Sequence, residues 1–331
     1  MGFYSMLKSM TYLSTIRSAV AIMVGSGILV ILAGCQTLSS MTPSDTTAIN
    51  PLTATMPVID RLGRIAYVEE QGFGAAKISS LYTIRPDGND RQLIEQLNGY
   101  IYSPAWSADG QLLAYSKQEA RQYPQIYIYD RNKQSHNLVV KEKGSNLSPT
   151  FSPDGQKLIY SSSVGGNADI YELSLNNGVI KPLVSLPSTE VQPSYAADGK
   201  SFVYVSDKVR AGRPRIYRYT FATGMSTQIA TSGYAASPQL SLDGQRMSYL
   251  NGRQAAVMSL ASGQVVNLAE TGLDEPARLS PTAQYTVYAM QNSKINGSIG
   301  SSLVIRSLTG GSSYTINSKS GGLARSPVWG R

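Results

Sequence analysis

Residue types that perform catalysis are scarce in this 331-residue chain. It contains one histidine, His136, and one cysteine, Cys35. A zinc site built on histidines needs more than one of them, and a Ser-His-Asp triad or a Cys-His dyad needs its histidine in a cleft, with a free cysteine for the dyad. His136 lies in the segment SHNLVV, which we expect to form the outermost strand of a sheet, away from any channel. These three kinds of site are therefore excluded.

Carboxylate chemistry is the remaining route to an enzyme. Glu190, Asp274 and Glu275 each precede a segment that we expect to be an innermost strand. Two carboxyl groups on either side of a glycosidic bond serve a glycosidase as acid and nucleophile or base. Nothing in the spacing of these three residues selects a pair, so we predict no catalytic residue and no enzyme activity.

Four aspartates recur before glycine and raise the question of calcium: Asp109, Asp154, Asp198 and Asp243. A single aspartate in a hairpin turn more often accepts hydrogen bonds from its own backbone. Aspartates of different repeats also lie too far apart to share one ion. We therefore predict no metal and no cofactor.

These aspartates belong to a phrase that recurs along the chain. It reads SPAWSADGQLLAYS, SPTFSPDGQKLIYS, QPSYAADGKSFVYV and SPQLSLDGQRMSYL, with a weaker copy EPARLSPTAQYTVYA and a truncated copy SPVW near the C-terminus. The prolines of successive copies are 45, 44, 45, 38 and 51 residues apart. A period of about 40 to 45 residues with strand-like content is typical of β-propeller blades.

The ends of the repeat array predict how the propeller closes. Glycine-containing turns divide each repeat into four strands that are rich in Tyr, Ile and Val. Residues 64–69 match a second strand that has no first strand before it, and residues 326–329 match a first strand with no second after it. We therefore expect the C-terminal strand to join the N-terminal blade. The predicted fold is an all-β, six-bladed propeller of four-stranded antiparallel blades.

The N-terminal region has the features of a processing segment. Lys8 and Arg17 precede an apolar stretch at 18–31, and Leu-Ala-Gly-Cys follows at 32–35. This pattern predicts a lipoprotein signal peptide at 1–34 and a lipidated Cys35, and the alternatives are a transmembrane anchor or a chance cysteine. Residues 35–60 then form a flexible tether and residues 61–331 the propeller. The formal net charge of +8 comes without a basic run, so we predict no nucleic-acid partner.

The phrase SPTFSPDGQKLIYSS, followed by DIYELS, resembles the propeller repeat of the TolB family, the periplasmic component of the Tol-Pal envelope system. The resemblance covers about residues 60–331. It implies a periplasmic interaction scaffold that binds Pal, the peptidoglycan-associated lipoprotein, at the mouth of the propeller. TolB proteins carry an α/β domain before the propeller, whereas a tether stands in that place here. With Gln36 after Cys35, the resemblance to Gram-negative lipoproteins implies an outer-membrane anchor facing the periplasm.

We expect a partner to bind at the mouth of the channel. The loops that join an outermost strand to the next innermost strand share one face with the loops between second and third strands, and tyrosine and arginine often dominate interfaces. The first loops supply the candidates Tyr100, Tyr102, Asn146, Glu190, Gln192, Tyr234, Asp274, Glu275 and Arg325, and the second loops supply Phe73, Arg121, Tyr123, Lys208, Arg210, Arg213, Arg253 and Lys294. For Tyr102, packing between blades is an equal alternative.

The sequence thus predicts a monomeric, non-enzymatic scaffold that is held at the outer membrane by lipid and binds a periplasmic or outer-membrane protein. An alternative function is binding of carbohydrate or peptidoglycan fragments at the same mouth, with the tyrosines as stacking platforms. A carboxylate-based glycosidase or lyase is the third possibility.

Overall fold

The computed structural model describes residues 55–292, 300–311 and 313–331. In these ranges the chain forms a short helix α1, a 3₁₀ turn at Gly74–Ala76 and the strands β1 to β23. The bounds are α1 Val58–Leu62, β1 Arg64–Gln71, β2 Ile78–Ile84, β3 Gln92–Trp106, β4 Leu112–Glu119, β5 Gln125–Asp130, β6 Ser135–Val140, β7 Asn146–Phe151, β8 Lys157–Ser162, β9 Asp169–Ser174, β10 Ile180–Val184, β11 Glu190–Tyr195, β12 Ser201–Ser206, β13 Arg215–Thr220, β14 Met225–Gln228, β15 Ala235–Leu240, β16 Arg246–Asn251, β17 Gln254–Ser259, β18 Val265–Glu270, β19 Arg278–Leu279, β20 Tyr285–Gln291, β21 Ser301–Ser307, β22 Ser313–Asn317 and β23 Leu323–Gly330.

Several predictions from the sequence fall outside the described ranges. They concern the signal peptide at 1–34, the lipidation of Cys35, the tether up to residue 54, and Lys294. Within the described ranges, no helix is long and apolar enough to cross a membrane.

The strands form five sheets. Four of these are separate four-stranded blades, made of β7–β10, β11–β14, β15–β18 and β19–β22. The fifth sheet has seven strands in the order β23-β1-β2-β3-β4-β5-β6. The all-β propeller predicted from the repeats is therefore present. The prediction of six separate four-stranded blades is wrong, because the structure has four such blades.

The seven-stranded sheet arises because β3 runs without interruption for 15 residues. The first half of β3 pairs with β2, where Ser79 faces Leu97, and its second half pairs with β4, where Tyr102 faces Ser116. Gly99 lies between the two halves, and a Cβ atom there would collide with the carbonyl oxygen of Gln118. The glycine thus allows extended backbone to continue where a turn was expected from the repeat.

The last strand of the chain pairs with the first. β23 runs antiparallel to β1, with Ile65 opposite Trp329 and Ala66 opposite Val328. Trp329 is 4% exposed and packs in a core cluster with Ile65 and Tyr67. The expected pairing between the chain ends is therefore present, and it covers the free edge that β1 would otherwise expose.

A β-bulge recurs at the Ser-Pro step of the innermost strands. The residue before the repeated proline has a left-handed φ between 48° and 56° at Ser103, Ser148, Gln192, Ser237 and Ser326. The register with the second strand shifts by one residue at each bulge. A bulge removes one backbone N–H from the ladder of its own sheet, and this N–H must find another partner.

The repeated Ser-x-Asp-Gly turns hold their own aspartates. Asp109 Oδ1 accepts hydrogen bonds from Ser107 Oγ at 2.6 Å and from the Gln111 N–H at 3.0 Å. Asp154 and Asp243 accept the same pair of hydrogen bonds in their turns. The hydroxyl of Ser107, followed by the backbone N–H, lowers the pKa of Asp109. The prediction that these aspartates accept hydrogen bonds from their own turns is confirmed by these contacts.

The fifth repeat lacks this aspartate and receives a carboxylate from the segment before the propeller. Thr282 and Ala283 replace Asp-Gly in its turn. The carboxylate of Asp60, in α1, accepts hydrogen bonds from Ser280 Oγ at 2.8 Å, from the Thr282 N–H at 2.9 Å and from Thr282 Oγ1 at 2.5 Å. Asp60 is fully buried. It thus occupies the chemical position of the missing turn aspartate.

Replacing Asp60 with alanine should destabilise the protein, and restoring the turn aspartate should reverse the loss. Asp60→Ala leaves three donors without their acceptor, so we expect the free energy of unfolding to fall by about 2 kcal/mol. Adding Thr282→Asp and Ala283→Gly should recover most of it, since Ala283 already has a left-handed φ of 55° that suits glycine. Urea denaturation measures both effects.

The exposed neighbour Arg61 provides the matched control, since Arg61→Ala should unfold at the wild-type urea concentration. Wild-type stability in Asp60→Ala, or no recovery in the triple variant, would show that Asp60 does not replace the turn aspartate.

Candidate functional site

The loops between second and third strands lie at the same end of the propeller as the connections between neighbouring sheets. Backbone hydrogen bonds join the two sets, as from the Asn146 N–H to the Pro124 oxygen at 3.0 Å and from the Glu190 N–H to the Ala168 oxygen at 2.7 Å. We call this end the loop face. Its second-to-third-strand loops are residues 72–77, 120–124, 163–168, 207–214 and 252–253.

Asn146 was predicted to bind a partner, but the structure buries it completely. Its amide nitrogen lies 3.1 to 3.2 Å from the carbonyl oxygens of Pro124, Glu142 and Gly144. Its amide oxygen accepts a hydrogen bond from Ser162 Oγ at 2.7 Å. These contacts join β7 to the loops on both sides of it, so Asn146 supports the loop face from beneath.

Glu190 has a similar supporting position. Its carboxylate is fully buried and accepts hydrogen bonds from Ser188 Oγ at 2.5 Å, Ser206 Oγ at 2.8 Å and the Leu186 N–H at 3.3 Å. Burial raises the pKa of Glu190, and the serine hydroxyls oppose this shift. With its oxygens occupied in this way, Glu190 is placed to hold the connection between β10 and β11.

Gln192 and Glu275 accept the N–H groups that the bulges release. Gln192 Oε1 accepts the Ser237 N–H at 2.8 Å, and Glu275 Oε2 accepts the Ser326 N–H at 2.6 Å. In each case a residue that precedes a repeated proline is bonded to its counterpart in the next innermost strand. These side chains therefore link adjacent sheets around the channel.

Arg325 forms part of the same ring of contacts. Its Nε donates to Glu275 Oε1 at 2.8 Å, and its Nη1 lies 3.7 Å from Glu70 Oε2. Burial acts to lower the pKa of Arg325, but the carboxylates of Glu275 and Glu70 outweigh it and raise the pKa overall. The arginine thus holds the closing strand β23 against the fifth repeat.

The three tyrosines predicted at the mouth are covered to different degrees. Tyr102 is 8% exposed and donates to Gln118 Oε1 at 3.0 Å, and burial raises its pKa. Tyr100 is half-buried, because its ring stacks on Tyr102 at 5.7 Å and lies 5.0 Å from Lys77 Nζ. Tyr234 is also half-buried, and burial, followed by the charge of Asp274, raises its pKa. For Tyr102, packing is the role that the structure gives.

The predicted arginines of the second loops are exposed. Arg121, Arg210 and Arg213 all lie on the solvent side of the loop face. The buried carboxylate of Asp207 fixes the loop that carries the last two, because it accepts the Gly212 N–H at 2.8 Å and the Thr189 N–H at 3.1 Å. These guanidinium groups are free to meet a partner and are carried on an ordered turn.

Exposed apolar side chains lie in the same set of loops as these arginines. Phe73 is 90% exposed, Tyr123 60%, Val164 40% and Val209 74%, and each comes from a different second-to-third-strand loop. An exposed apolar residue alone is ordinary, but four in corresponding loops of one face form a set. We call Phe73, Tyr123, Val164, Val209, Arg121, Arg210 and Arg213 the rim. Its members Val164 and Val209 were not predicted from the sequence.

Two of the three carboxylates considered for catalysis have other partners. The carboxylate oxygens of Glu190 and Glu275 accept the hydrogen bonds given above. His136 lies in the outermost strand β6, as predicted, with Nδ1 2.9 Å from the Tyr115 hydroxyl. Within the described ranges, no group of three or more His, Cys, Asp or Glu residues could hold a metal ion.

Comparison with known proteins identifies the family. The family model described as the TolB beta propeller domain matches residues 52–331. The chain belongs to the TolB β-propeller domain family. Among solved structures, the crystal structure of TolB from Acinetobacter baumannii is similar, with a TM-score of 0.72 and 31% identity over 82% of this chain and 67% of that one.

Curated relatives carry the same family name. The Tol-Pal system protein TolB of Francisella tularensis subsp. tularensis is 28% identical over 81% of this chain and 63% of its own length. The Tol-Pal system protein TolB of Bordetella pertussis is 35% identical over 47% of this chain and 34% of its own length. The chain therefore spans only part of the length of these relatives.

Proposed function

We propose that this chain is a non-enzymatic, periplasmic interaction scaffold of the Tol-Pal type, and that its rim binds a protein partner. The exposed rim is the observation that carries the proposal, since the family supplies the class and the rim supplies a surface. Membership of the TolB β-propeller domain family, together with relatives named as Tol-Pal system proteins, supports the absence of enzyme activity.

The composition of the rim favours a protein partner. Its apolar side chains offer contact area, and its three arginines offer bidentate hydrogen bonds to carboxylates. A partner with acidic side chains around an apolar patch would match both features. A Pal-like lipoprotein is the partner that the family resemblance implies.

Carbohydrate binding is less well served by the same face. A stacking platform needs an aromatic ring with one free face, yet Tyr100 is stacked on Tyr102 and approached by Lys77. Tyr234 is also half-buried. Of the predicted aromatic candidates, only Phe73 and Tyr123 remain exposed, and they lie on separate loops.

Lipid anchoring through Cys35 completes the proposal. A diacylated cysteine at the start of a tether would hold the propeller at the periplasmic side of the outer membrane. This part is supported by the Leu-Ala-Gly-Cys motif at 32–35 and by the apolar stretch that precedes it.

Loss of the rim should weaken binding to Pal of the same bacterium. We expect Phe73→Ser, Val209→Ser and Arg213→Ala together to weaken the affinity at least about tenfold, because they remove two apolar anchors and a charge-assisted contact. Calorimetric titration of purified Pal into the propeller measures this.

The matched control removes similar side chains from the opposite end: Val179→Ser, Met225→Ser and Lys133→Ala, all exposed near the turns between third and fourth strands. It should bind Pal as the wild type does. Equal affinity of the rim variant and the wild type would refute the rim, and absence of Pal binding by the wild type would refute the partner.

Replacing Cys35 should release the protein from membranes. In cells that make the full chain, Cys35→Ser should move it from the membrane pellet to the soluble fraction, and mass spectrometry of the wild type should find a diacylated N-terminal cysteine. A wild-type protein that carries no lipid, or a Cys35→Ser protein that still pellets with outer membrane, would contradict the anchor.

A further inference from the structure

Six innermost strands each hold one residue at the same register position. Each of these residues pairs with a residue of the adjacent second strand. That partner directly precedes the tyrosine that recurs in the second strand of every repeat. The six residues are Ala105, Thr150, Ser194, Gln239, Arg278 and Val328. We call them the channel ring.

Hydrogen bonds support this alignment independently of the pairing. Ser194 Oγ accepts the Leu240 N–H at 3.1 Å, and Gln239 Oε1 accepts the Leu279 N–H at 3.1 Å. Each residue thus reaches the next innermost strand in the same way. Ala105, Thr150, Gln239 and Arg278 keep partial exposure, so solvent reaches these residues.

Arg278 is the one charged member of the channel ring. Its Nη1 donates to the Ser237 carbonyl oxygen at 3.0 Å, and this is the single hydrogen bond that the guanidinium makes to the residues the structure describes. A guanidinium has five N–H donors in a planar fork, so most of its capacity is unused. The same residues provide no carboxylate within ion-pair distance of it.

The negative charge of Glu275 acts on Arg278 from nearby, but the carboxylate oxygens of Glu275 are hydrogen-bonded to other groups. Its two oxygens accept hydrogen bonds from Arg325 Nε and from the Ser326 N–H. Burial lowers the pKa of Arg278 to about 10, and the charge of Glu275 opposes this shift. Arg278 therefore stays positively charged at neutral pH while it is partly removed from water.

A desolvated charge with few partners is costly, and proteins normally pair it. The groups beside Arg278 in the ring are neutral hydroxyl, amide and aliphatic side chains, which would not repel an anion. A carboxylate matches the guanidinium fork and can accept two parallel N–H bonds. We propose that Arg278 makes the channel ring a binding site for a carboxylate ligand, distinct from the rim.

The carboxylate has two possible sources, an acidic peptide or an acidic sugar. The first probe is the peptide acetyl-Glu-Ser-Glu-Ser-amide, and its neutral match is acetyl-Gln-Ser-Gln-Ser-amide. The second probe is N-acetylmuramic acid, and its neutral match is N-acetylglucosamine. Calorimetric titration into the wild-type protein should detect at least one acidic probe and neither neutral match.

Arg278→Gln should weaken binding of that probe at least about tenfold, because it removes charge-assisted hydrogen bonds. Glutamine keeps a donor for the Ser237 carbonyl, so the variant should fold. The acidic probe should raise the melting temperature of the wild type and leave that of the variant unchanged. Arg278→Lys, which keeps the charge but loses the fork, should bind with intermediate affinity.

Two controls separate this site from the rim. Arg253→Gln removes an exposed charge of the loop face that is paired with Glu270 at 2.8 Å, and it should bind the probe as the wild type does. The rim variant should also bind normally, so failure of the Pal experiment would leave this one unaffected. Absence of binding by both acidic probes, or wild-type affinity in Arg278→Gln, would overturn the proposal.

Discussion

The antiparallel pairing of β23 with β1 determines where every other part of the propeller can lie. It brings the two ends of the described chain together and buries Trp329 against Ile65. Glu69, only 2% exposed, accepts the Lys319 and Ser320 N–H groups at 2.8 and 3.2 Å and so fixes the approach to β23. Because β23 also carries Arg325 and Ser326, the same pairing completes the loop face and the channel.

Side-chain acceptors on the innermost strands then join the sheets to one another. The bulges at Ser237 and Ser326 each withdraw an N–H from their own sheet, and Gln192 and Glu275 accept these two groups from the neighbouring repeat. These polar residues, which the sequence predicts as part of a binding surface, make contacts within the propeller. The surface that we propose for a partner is the rim, on the loops between second and third strands.

The sequence predicted those features that repeat. The hydrogen-bonded turn aspartates and the pairing of the chain ends follow from periodicity and are present. The features that differ between repeats were missed. Gly99 allows β3 to continue without a turn, so the first strands of the chain belong to one sheet of seven strands. The segment EPARLS has one residue more than the matching segments of the other repeats. Alignment on Pro276 therefore puts Arg278 one position away from the channel ring, so the repeat pattern did not indicate it. Asp60 was missed because its partner turn lies more than 200 residues away.

Closure of the ring by β23 is the claim on which the rest depends, and truncation tests it directly. A chain that ends at Arg325 lacks Trp329 and leaves residues 64–66 of β1 without their partners in β23. We expect a much lower melting temperature, with fast amide exchange at Ala66, while removal of the exposed Arg331 alone changes neither. If the truncated protein melts at the temperature of the intact chain, the closing strand does not hold the propeller together.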